Sequence, residues 1–121
     1  MTPERAETLE WLMQRVSAAV LAVCVIVHLA VIVIAVQGGV TSKEIVARVG
    51  GSVPWLMFYS VFVIAVALHA PTGLRNILRE YTALGRRATH WIMAAVCLAI
   101  LVMGFRAVIG LYGLGNLGTG A

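Results

Sequence analysis

Three long apolar runs fill most of this 121-residue chain, and they constrain its fold more than any other feature. The first extends from Val16 to Val36, interrupted in its aliphatic character only by Ser17, Cys24 and His28. The second extends from about Val53 to Leu74 and contains Tyr59, Ser60, His69 and Thr72. The third covers about Ala88 to Ile109, with His90 near its start and Arg106 near its end. Each approaches the roughly 20 residues that cross a bilayer core. In the third, Arg106 has to snorkel outward. Apolar residues make up 61% of the chain and charged residues 12%. That leaves too little polar surface for a soluble monomer. The expected fold class is an all-α membrane protein: a single anchor domain with three transmembrane helices over roughly 13–37, 53–81 and 88–111, preceded by a short N-terminal interfacial helix.

The first run is long for the apolar part of a signal peptide, no A-x-A cleavage site stands at its end, and Gln37-Gly38-Gly39 simply closes a helix. It reads as a retained span. Cys24 and Cys97 both fall at membrane depth and have no metal-type spacing, so they read as small buried residues. The net charge of +4 acts as a topology signal. Arg75, Arg79, Arg86 and Arg87 cluster between the second and third runs, and Arg5 and Arg15 lie before the first. The positive-inside rule then places the N-terminus and the 75–87 connection in the cytoplasm. No separate domain or interleaved aromatics supports nucleic-acid binding.

Local signals mark the ends of the runs. Thr2-Pro3-Glu4 opens a helix, with Trp11 as an interfacial anchor. Thr41 to Val49 reads as a short surface helix closed by Gly50-Gly51. Ser52 and Pro54 start the second span, Pro71 is expected to kink it, and Gly85 to end its extension. Thr89 is expected to cap the third span. Gly110, Gly113, Gly115, Gly118 and Gly120 read as a flexible tail.

A histidine in hydrocarbon is costly unless something satisfies it. On a helix, His69 and Gly73 share a face. An imidazole with a missing side chain one turn away suits a flat macrocycle, because the ring can lie close to the backbone. Arg75 and Arg79, on the next turns, offer partners for haem propionates. The competing reading is a histidine that bonds across to a neighbouring helix. His28 lies nearer the opposite leaflet, so the two histidines are not an axial pair for one haem. Either His28 ligates a second haem iron or it makes a cross-helix polar contact.

A quinone needs an apolar slot and two or three donors for its carbonyl oxygens. Tyr81 can donate to one carbonyl, Arg15 can stabilise negative charge on the reduced ring, and Ser17 can add a bond. Each also has an ordinary alternative: Arg15 and Tyr81 as interface anchors, and Ser17 bonded to its own helix.

The block His69-Ala-Pro-Thr-Gly73-Leu-Arg75-Asn-Ile-Leu-Arg79-Glu-Tyr81 resembles the second transmembrane helix of the anchor subunits of succinate dehydrogenase and quinol:fumarate reductase, with their His-x-x-x-Gly pattern. Gln14-Arg15-Val16-Ser17-Ala18 resembles the His-Arg-x-Ser-Gly segment of the first helix of one of those anchors, with Gln14 and Ala18 replacing the usual histidine and glycine. The resemblance implies a cytochrome b anchor in the bacterial inner membrane. It implies that His69 ligates haem b and that Arg15 and Tyr81 serve a site for ubiquinone or menaquinone. Partners implied are an iron–sulfur subunit, a flavoprotein subunit carrying the dicarboxylate chemistry, a second membrane anchor, and lipid. The basic 75–87 connection is the expected docking surface for the iron–sulfur partner. Two other readings stand beside this one: a cytochrome b anchor of a different respiratory oxidoreductase, and a membrane subunit with no haem.

Overall fold

A computed structural model describes residues 2–119. Among them the chain forms four helices: α1 (Pro3–Gln37), α2 (Ser42–Val49), α3 (Val53–Tyr81) and α4 (Arg86–Thr119). α1, α3 and α4 are long and apolar enough to cross a membrane. The fold is therefore an all-α, multi-pass arrangement.

The expected lead-in helix and the first span prove to be one continuous helix. Thr2 sits in extended backbone and its hydroxyl accepts from Arg5 N at 3.4 Å, while Pro3 occupies the first turn. Nothing between Pro3 and Gln37 breaks the ladder. Gly38 closes α1, and Gly39, at φ +65°, turns the chain away. α2 opens on a reciprocal capping box: Glu44 N donates to Thr41 Oγ1 at 3.3 Å, and Thr41 N donates to Glu44 Oε2 at 2.9 Å. Ser52 starts α3, although its side chain makes no capping bond.

Three local expectations are corrected. α3 ends at Tyr81, ahead of Gly85, where Thr82 closes it by donating from its backbone N–H to Leu78 O. Thr89 does not cap α4. The helix already begins at Arg86, and the Thr89 hydroxyl donates back to Gly85 O at 3.0 Å. Gly110, Gly113 and Gly115 do not form a loose tail, because α4 continues through them to Thr119; Gly120 lies outside the described residues. Pro71 leaves α3 assigned as a single helix.

α3 is the middle element. It packs against α1 and against α4, and α2 packs against the end of α4. Ala65 and Ala67 are both buried on α3, yet two residues apart they point about 200° from each other. One serves the α1 side and the other the α4 side. Small residues let the helices approach: a Cβ on Gly104 of α4 would strike the Val63 side chain of α3. Most large apolar side chains, Ile26, Ile34, Val36 and Met103 among them, point outward, as lipid-facing surfaces do.

Candidate functional site

The antiparallel packing of α1 on α3 sets a register that brings Ser17 opposite His69. Ser17 Oγ lies 3.4 Å from His69 Nδ1 and donates to Gln14 O at 3.1 Å. Ser17 is only 5% exposed, whereas His69 is half-buried. Below His69 on the same face, a Cβ on Gly73 would meet Gln14 Nε2 at 3.8 Å, an ordinary contact. The other end of that amide, Gln14 Oε1, is buried without a hydrogen-bond partner. His69, Gly73, Ser17 and Gln14 therefore form one polar locus in an otherwise apolar contact.

This locus fits the demand of a haem. One imidazole nitrogen is oriented by the protein, the other is left for a ligand, and Gly73 adds no side chain beside it. Among the described residues, no three His, Cys, Asp or Glu side chains converge to cage a metal ion. Iron held in a macrocycle asks only for axial nitrogens, so that finding bears on bare metal ions alone.

His28 has a different environment. Its ring lies edge-on to Tyr59, at 5.9 Å between centroids, and to Phe62, at 5.6 Å. Its Nδ1 is buried and without a partner. Along α1, His28 lies about 16 Å from Ser17, so the two histidines occupy different levels of the bilayer.

Arg75 and Arg79, the arginines expected to partner haem propionates, lie on the turns of α3 that follow His69. Arg75 Nη2 pairs with Glu10 Oε2 at 2.8 Å, and Nη1 with Oε1 at 3.4 Å. On α3, Arg75 points about 120° and Arg79 about 80° away from His69. Both line a groove of about 620 Å³ between the acidic start of α1 and the basic ends of α3 and α4, together with Glu7, Glu10, Arg86 and His90. The partnership with Glu10 was missed by sequence reasoning, because the two residues meet only through the α1–α3 register.

The three residues expected at a quinone site do not converge within this chain. Ser17 faces His69. Arg15, two residues away, points about 200° around α1 from it. Arg15 is exposed, its guanidinium 5.2 Å from the centre of the Trp11 ring. Tyr81, 78% exposed, ends α3 about 18 Å beyond His69. An apolar groove of about 250 Å³ does open beside Ser17, walled by Met13, Val16 and Val20 of α1 and by Val61, Ile64 and Leu68 of α3.

Compared with known proteins, residues 2–109 match a family model described as the succinate dehydrogenase/fumarate reductase transmembrane subunit. No curated protein and no solved structure matches the chain.

Proposed function

The chain belongs to the succinate dehydrogenase/fumarate reductase transmembrane subunit family, and on that premise we propose that it anchors such a complex in the bacterial inner membrane, holds haem b through His69 and helps to form the quinone site. The observation that carries the haem assignment is the pairing of His69 Nδ1 with buried Ser17, one turn from Gly73, which carries no side chain. His28, caged by Tyr59 and Phe62, is assigned to packing.

When bound, haem supplies a one-electron carrier at membrane depth. The chain's own residues would hold the imidazole of His69 in place and keep water away with the apolar flanks of α1 and α3, and a partner anchor would supply any further ligand. The basic end carries the arginine-lined groove, and this end faces the cytoplasm, where an iron–sulfur subunit docks; the flavoprotein binds to that subunit in turn. Arg15 and Tyr81 are both exposed near this end and about 15 Å apart along the helix axes. They offer donors to a ubiquinone or menaquinone pocket that partner subunits complete. Arg15 opposes the negative charge that develops on a quinone oxygen, and the Tyr81 hydroxyl donates to a carbonyl.

The test is a reduced-minus-oxidised visible spectrum of the assembled complex purified with this subunit. A b-type signal is expected in the native complex and its loss in His69→Ala. A His69→Ala complex with an unaltered spectrum would overturn the ligand assignment.

A further inference from the structure

Resting on the assignment of His69 as the haem ligand, we infer that Ser17 is a positioning residue for that histidine: its oxygen accepts a hydrogen bond from Nδ1–H and so leaves Nε2 free for iron. The argument is one of proton inventory. A serine hydroxyl has one hydrogen and two lone pairs. That hydrogen is directed at Gln14 O, 3.1 Å away in the preceding turn. The contact with His69 Nδ1, at 3.4 Å, is then left to a lone pair of Oγ. A lone pair cannot bond to a lone pair, so Nδ1 carries the ring proton. A neutral imidazole has only one N–H, so Nε2 is the free base.

The opposite arrangement is disfavoured by the same atoms. If the hydroxyl turned to donate to Nδ1, the shorter bond to Gln14 O would be lost. Nε2 would then be protonated and closed to a metal. Ser17 is 5% exposed, so water has little access to replace it. The contact also fixes the plane of the ring, because Ser17 is anchored to α1 while His69 projects from α3. An acceptor behind a metal-bound histidine raises its basicity. This assigns Ser17 to the histidine and takes it out of the set of quinone donors.

The experiment uses the complete complex with Ser17→Ala, Ser17→Thr and His69→Ala, reading haem content per complex and the midpoint potential of the haem. Ser17→Ala is expected to release haem roughly tenfold or more readily and to shift the potential upward, since a less basic imidazole stabilises ferric iron less. Ser17→Thr, which keeps the hydroxyl, restores both. Native haem retention and potential in Ser17→Ala, while His69→Ala loses its haem, would overturn this inference alone; a raised quinone KM in the same variant would return Ser17 to the quinone site. A shift that threonine does not reverse also counts against the hydroxyl. If His69→Ala keeps its haem, the ligand assignment falls and the role of Ser17 falls with it.

Discussion

His69 and His28 are the same residue type at different levels of the bilayer, and their immediate surroundings separate them further. His69 has a hydroxyl behind one nitrogen, whereas His28 has two aromatic edges and an unpartnered nitrogen. Replacing His28 with phenylalanine is expected to leave the b-type spectrum unchanged and stability within about 1 kcal/mol, since removing a buried, unpaired polar atom relieves a desolvation cost. A vanished haem signal in that variant would place a second iron at His28. The Glu10–Arg75 pair is partly solvated, with side chains 52% and 30% exposed. A double-mutant cycle on Glu10→Gln and Arg75→Gln should give a coupling of about 0.2–1 kcal/mol that shrinks as salt is raised. At this scale, the His69–Gly73 relation is legible in the sequence because helical spacing alone puts the two on one face. The partners of Ser17 and Arg75 are not, because the first lies 52 residues away and the second 65. Only the register between α1 and α3 brings them together.

Among the elements, the three long helices are visible in the sequence because hydrocarbon imposes a minimum apolar length, and the chain meets it three times. Their ends are less visible. The turns beyond the bilayer are set by caps and by contacts outside it, which apolar length does not report. The faces are hidden too: a helix that is apolar on every side gives no amphipathic signal for which residues meet protein and which meet lipid. The glycines after Ile109 show why the tail misleads. In water, repeated glycine marks a break; in this helix Gly115 is where α4 meets the Gly50 backbone at the end of α2, and a Cβ on either residue would collide with the other. Gly115→Val is therefore expected to push α2 off α4, and Gly104→Leu to part α4 from Val63. Overpacking of this kind costs about 1–3 kcal/mol, which should appear as a lower Tm of the detergent-solubilised complex. An unchanged Tm in both variants would show that these crossings are loose.

For the whole molecule, the arginine-rich end and the α2 end should face opposite compartments. Cysteines introduced as Glu80→Cys and Lys43→Cys, in a background lacking Cys24 and Cys97, should label with a membrane-impermeant maleimide from opposite sides, the first from the cytoplasm. Labelling of both from one side would refute the three-span topology. The order of the helices across the membrane has a further consequence. α3 packs against both long neighbours, while the contact between Ser17 and His69 belongs to the α1–α3 pair alone. The assembly is thus a row with the site toward one edge and α4 at the other. A chain cut within the 82–85 connection would lose α4 and still retain the hairpin in which serine and histidine meet. In chain order, both halves of that hairpin are made before α4.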